Sequence, residues 1–274
     1  MPASALALTL AAAVVHAAWN LLLSASKDVR SATAVAIAFS TIVFAPVAAL
    51  TWRLEPSAIP YMAGSSAFEV LYLVLLASAY SAVAMSFVYP VARGSAPVLV
   101  LLIGAIALGT QVSPLAALGV VLVGGGILLV RESRMAVSPR NLVMALSVGG
   151  AIAGYTLIDK HGIAHANPFS YLEIVFAVTA FAYVLVALRM QGAAALRAAV
   201  SRSSLAAGVG FFGAYVLTLA ALRLASAASV AAVRESSVVI ATAALAVTGR
   251  ERVGKRRLAG AVVVVAGIAL ISVG

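Results

Sequence analysis

Long apolar runs separated by short polar breaks extend along the whole chain. A membrane-spanning helix needs about 20 apolar residues to cross roughly 30 Å of hydrocarbon. With charges and Pro or Gly clusters as boundaries, the pattern predicts ten such helices: residues 3–24, 31–52, 57–79, 81–108, 114–130, 140–158, 169–188, 203–222, 226–248 and 258–273. No connection is long enough for a soluble domain. The longest, from Arg189 to Arg202, is polar and reads as interfacial. Met1 to Ser26 carries no Lys or Arg to make the charged start of a leader, so it reads as the first span. The expected fold class is an all-α integral membrane protein with ten transmembrane helices.

Composition narrows the choice. The 274 residues are 64% hydrophobic and 9% charged, with mean hydropathy +1.14, whereas a soluble domain is about a quarter charged. That excludes a soluble globular protein, and so apolar a chain cannot stay disordered in water. Eighteen Lys and Arg against eight Asp and Glu give a net charge of +10. In a soluble protein this excess would point to nucleic acid. Here the cations lie between apolar runs, where they orient spans in a bilayer, and no nucleic-acid partner is expected.

The loops after odd helices hold Lys27 and Arg30; Arg131, Arg134 and Arg140; Arg189, Arg197 and Arg202; and Arg250, Arg252, Lys255, Arg256 and Arg257. Those after even helices, with their flanks, hold only Arg53, Lys160 and Arg223. Basic residues stay in the cytoplasm, so both termini are expected outside.

The two halves repeat. A shift of 141 places Arg93 on Arg234, Ser95 on Ser236, Val98 on Val239, Gly119 on Gly260 and Gly126 on Gly267. With five helices per copy, the second enters the membrane inverted, an architecture of secondary transporters whose halves rock about a midplane site. The repeats are expected at 1–133 and 134–274.

Charges inside the bilayer cost about 2.5–3.5 kcal/mol each on insertion scales, so they pair or face water. Glu69, Arg93, Glu173, Arg234 and Glu235 lie within predicted helices. Glu69 and Arg93 both fall roughly 14–18 Å from the turn joining helices 3 and 4, so they are expected to pair, giving one charged cluster per half, offset towards opposite faces. Ion pairs that only hold helices together are the structural alternative. Pro90 and Pro97 flank Arg93 and predict a kinked or unwound helix 4. His16 and Asn20, four apart beside Trp19, make a polar stripe that should face inward. Tyr72, Tyr80, Tyr89, Tyr155, Tyr171 and Tyr215 serve as interfacial belt or as rings against an amphipathic solute. Asp159, at the end of helix 6, reads as too close to the surface to need a buried partner.

No cofactor or metal is called for. There is no cysteine, and His16, His161 and His165 are too scattered for a metal triad. Gly150 and Gly154 form a GxxxG spacing that reads as helix packing or a homodimer contact rather than a phosphate loop. An enzyme would need convergent nucleophile, base or metal ligands, and an ion channel a filter or acidic ring; neither is visible.

The opening His16-Ala17-Ala18-Trp19-Asn20, the segment Tyr89-Pro90-Val91-Ala92-Arg93-Gly94, the run Tyr155-Thr156-Leu157-Ile158-Asp159 and Arg234-Glu235-Ser236-Ser237, in that order on ten helices, resemble the EamA branch of the drug/metabolite transporter superfamily. The resemblance implies a bacterial inner-membrane carrier, often an exporter, of amino acids or other small zwitterionic and anionic solutes. The residues read as solute-binding are Arg93, Arg234, Glu69, Glu235, His16, Trp19, Asn20, Tyr89, Ser95, Ser236, Tyr155 and Tyr215. The alternative is a proton-coupled exporter of cationic drugs or quaternary amines using Glu69 and Glu173. Relatives often close helices 4 and 9 with Gly-Glu; here Glu251 follows Gly249-Arg250, while the first half has Gly109-Thr110.

Overall fold

The computed structural model describes residues 1–82, 85–130, 138–247 and 254–274. Arg131, Arg134, Arg250, Glu251, Arg252 and the Tyr80 side chain lie outside the described residues. The helices are α1 (Ala3–Ser24), α2 (Val29–Leu50), α3 (Ile59–Ala82), α4 (Met85–Ala107), α5 (Pro114–Val130), α6 (Pro139–Gly162), α7 (Pro168–Ala198), α8 (Arg202–Leu224), α9 (Ala227–Arg234), α10 (Ser236–Val247) and α11 (Lys255–Val273). Counting α9 with α10, nine of the described spans are long and apolar enough to cross a membrane, and α5 is a shorter tenth. The protein is thus a multi-span all-α membrane protein, as its apolar runs predict.

Short polar side chains start the helices by accepting from otherwise free backbone N–H groups. Asp28 caps α2, Ser138 caps α6, Asn167 caps α7 and Ser226 caps α9. The Ser31 hydroxyl, then the N–H groups of Ser31 and Arg30, hold the Asp28 carboxyl below its usual range. Ser201 and Ser204 cap α8 reciprocally. Gly109, at φ +61°, ends α4, and the Thr110 N–H returns to the Gly104 carbonyl at 2.9 Å.

The local structure adds two particulars. The Arg189–Arg202 connection, read as interfacial, is largely helical: α7 reaches Ala198 and changes direction at Gly192, whose φ of 81° suits a residue without Cβ. The prolines do not unwind α4, which runs unbroken through Pro90 and Pro97. The proline-free counterpart breaks instead. At Glu235 the ladder tightens to three-residue spacing, with Glu235 N–H bonding Ala232 O and Val238 N–H bonding Glu235 O.

Small residues let the helices approach. A Cβ on Gly119 would lie 2.5 Å from the Gly267 carbonyl oxygen, and one on Gly126 would lie 2.8 Å from that of Gly260. These two contacts join α5 to α11, and the 141-residue shift exchanges them. The same exchange relates the packing of α1 on α8 to that of α3 on α6, and α2 on α8 to α3 on α7. Gly154 seats the Phe68 ring within the chain, whereas Gly150 faces open space. The Met1 amine donates to the carbonyls of Ile271 and Ser272, so the termini share one face. On that face the segment between α2 and α3 is pinned to the segment between α6 and α7. Glu55 N–H bonds His165 O at 2.9 Å, Asn167 N–H bonds Arg53 O at 2.8 Å, and Glu55 pairs with His165 at 3.1 Å.

Candidate functional site

α9 lies in the middle of the bundle, packed against α4, α1 and α5, and all eight of its residues are buried. Arg234 and Glu235, at its end, therefore face protein rather than lipid. α4 brings Arg93 to the same place. Its guanidinium donates through Nη1 to Glu235 Oε1 at 3.0 Å and through Nη2 to His16 Nε2 at 2.9 Å. A guanidinium can only donate, so His16 accepts at Nε2 and carries its proton on Nδ1. Tyr89, one turn away, places its ring 5.5 Å from the Arg93 carbon.

The expected pair of Glu69 with Arg93 does not form. The partner is Glu235, from the other half of the chain, because α4 packs on α9 while its contact with α3 is slight. There are also not two clusters at opposite faces but one. His16 feels the charges of both Arg93 and Arg234; Arg234 lies against Tyr155 and within electrostatic reach of Arg93, Glu235 and Tyr215; and Glu69 is in reach of Asp159 and Arg234. All these charged groups are buried.

Asp159, which the sequence places near the surface, is 1% exposed. Helix α6 runs on to Gly162, so Asp159 sits nearly a turn inside it. It accepts from the Tyr171 hydroxyl at 2.9 Å and the Tyr215 hydroxyl at 2.6 Å. Next in sequence, Lys160 turns away and donates to the carbonyls of Leu222 and Ala225 at the end of α8. The signal for Asp159 was present in the apolar Gly154–Ile158 stretch preceding it, once the helix is allowed another turn.

The remaining candidates divide. Trp19 stands edge-on to His16 at 4.8 Å and against Phe211 at 4.7 Å. Asn20 turns its amide back to the His16 carbonyl, and Ser95 bonds the Ala92 carbonyl beside Gly149, so both serve the backbone. Tyr155 packs between Tyr72 and Tyr215. Glu173 stands apart on α7, with one buried oxygen lacking a partner. Six other buried polar atoms also lack partners among the described residues: Trp19 Nε1, Ser65 Oγ, Arg234 Nε, Glu235 Oε2, Ser236 Oγ and Ser237 Oγ. Four belong to the break between α9 and α10. Buried polar atoms without partners are rare, and each asks for a ligand or water. Arg93 is engaged on three sides; among the described residues, Arg234 has no ion pair.

The described pocket is not at this cluster. A small cavity of about 80 Å³ lies between α4, α6 and α9, lined by Val100, Gly104, Leu157, Lys160 and Ala227 among others.

Charged side chains gathered at a broken central helix of a polytopic membrane protein are an arrangement that solute carriers use. Residues 140–273 match the EamA-like transporter family. That match, over just under half of the chain, makes its second half similar to the EamA-like transporters, part of the drug/metabolite transporter superfamily, and a likeness to that family suggests a membrane transporter of small solutes. One solved crystal structure superposes with a TM-score of 0.78 over 99% of each chain at 14% identity, a likeness of fold. No curated protein matches the sequence.

Proposed function

We propose that the chain is a secondary transporter, an exporter of amino acids or related zwitterionic and anionic metabolites, working by alternating access in a bacterial inner membrane. Its two inverted repeats are 1–133 and 134–274, with both termini outside. The exchange of the Gly119–Gly267 and Gly126–Gly260 contacts under the 141-residue shift supports the repeat, since a twofold axis in the membrane plane would generate both.

One observation carries the site. Among the described residues Arg234 is a buried cation without an ion pair, at a helix break whose Glu235 and Ser236–Ser237 polar atoms are also unfilled. A carboxylate or phosphate would complete it with charge-assisted bonds. Arg93, fastened to Glu235 and His16, supports the site rather than grasping solute. In this reading Trp19 and Tyr155 line the organic part of the solute.

A second reading has its own support: Glu69 and Asp159 outnumber the single cation beside them, Arg234, which would favour a cationic solute. Counterflow into proteoliposomes preloaded with anionic, zwitterionic or cationic metabolites separates the two. Uptake is expected with the first two classes and to be lost in Arg234→Ala. Uptake of cations alone, unchanged in Arg234→Ala, contradicts the assignment.

A further inference from the structure

Glu69, Tyr215 and Asp159 form a line of oxygens with too few hydrogens. The Tyr215 hydroxyl has one, and Asp159 Oδ2 takes it at 2.6 Å. Glu69 stands beside the same phenol, near enough to interact with it. An ionised carboxylate only accepts, so it cannot bond an oxygen whose hydrogen is already given away. If Glu69 carries a proton it can donate to Tyr215, which donates to Asp159, and every oxygen in the line is satisfied. The charges agree: Glu235 belongs to Arg93, which leaves two buried carboxylates beside one guanidinium, Arg234. Buried like charges disfavour each other's ionised form.

The surroundings also point to a bound ion. Ser65 of α3, fully buried, aims its hydroxyl at Asp159 and Tyr171 yet has no bond of its own at good geometry. From α7, Tyr171 donates to Asp159; from α9, Arg234 is within electrostatic reach of both carboxylates. On α6 itself, Lys160 and His161 turn elsewhere, to the α8 carbonyls and to the Leu157 carbonyl.

We propose that Glu69 and Asp159 share one proton through Tyr215 and are the proton-coupling site of the carrier, separate from the Arg234 solute site. The role as a coupling site rests on the transporter reading above; the shared proton does not. Protonation turns two carboxylates into one carboxylate and one carboxylic acid. In the relay the Glu69 proton moves to the phenol oxygen as the phenol hydrogen moves to Asp159, leaving no charge on Tyr215. Asp159 lies three residues before the end of α6, on the face that holds the termini, which makes it the exit nearer to water.

The test is infrared difference spectroscopy of the chain in lipid nanodiscs, stepped in pH without any solute, in sodium-free and sodium-containing buffer. The expected result is a carboxylic-acid C=O band that titrates in either buffer. It is lost in Asp159→Asn and in Glu69→Gln, shifted in Tyr215→Phe, and unchanged in Glu55→Gln at the surface. Should one variant not fold, the others and the unmodified chain still decide. No titrating band in the unmodified chain, a band indifferent to both Glu69→Gln and Asp159→Asn, or a response to sodium rather than pH overturns the proposal. Because no solute is present, a failure of transport leaves this result standing, and the reverse holds too.

Discussion

A shift of 141 residues sets Arg93 against Arg234, and the two keep different company. Around Arg93 the helix is continuous, and the next residue, Gly94, brings α4 onto α5, where a Cβ would lie 2.8 Å from the Gly124 carbonyl oxygen. Under the same shift Gly94 becomes Glu235 and Gly124 becomes Val265. The close approach has no counterpart there, the helix breaks, and the carboxylate that replaces the glycine crosses to Arg93. One half thus fastens the other, and the half that supplies the carboxylate keeps a cation with no ion pair among the described residues. The glycine-to-acid difference under that shift accompanies the contrast between an ion-paired arginine and one with no ion pair among the described residues.

The largest effect should come from breaking that fastening on one side only. Arg93→Met leaves Glu235 buried without its cation and is expected to cost about 3–5 kcal/mol, whereas the double change Arg93→Met with Glu235→Met restores most of the stability. Thermal unfolding of the detergent-solubilised variants reads the difference; equal losses in single and double variants would mean the pair is not what holds α4 to α9. Next is Arg234→Lys, which keeps the charge and loses the fork of donors. Solute affinity should fall by about 10- to 100-fold, the worth of a charge-assisted bond, with the unfolding midpoint nearly unmoved.

A smaller effect tests the shared glycine seam. Gly119→Ala forces a Cβ onto the Gly267 carbonyl and should cost about 1–3 kcal/mol as overpacking, while Gly125→Ala, which meets nothing within 4 Å, should be silent. Smallest is the cap of α2. Asp28→Ala should cost about 1 kcal/mol. Because the folded carboxyl is held below its ordinary value of 3.8, its contribution is full above that value and fades as pH falls through the lowered one. Unfolding midpoints of Asp28→Ala and the unmodified chain should therefore converge in acid.

The spans were legible because a bilayer imposes a length and a polarity that few other environments demand; α1 and α5 fall where the apolar runs put them. The buried charges were legible as exceptions within those runs. Their partners were not, because pairing depends on which helices touch. Arg93 meets Glu235 across 142 residues, a separation close to the repeat shift, and only the packing of α4 on α9 shows it. Asp159 was misplaced for a simpler reason: Lys160 looked like the end of a helix, yet its long chain reaches the carbonyls closing α8 while the backbone continues inside. The prolines misled in the opposite direction, since α4 runs on through both and the break came where α9 meets α10.

Counterflow measured side by side in Arg234→Met and in the double variant Arg93→Met with Glu235→Met, using the same labelled zwitterionic and anionic metabolites, tests the division of roles between the two arginines most directly. The account predicts residual exchange in the double variant and none in Arg234→Met. Full exchange in Arg234→Met, with none in a folded double variant, would contradict it.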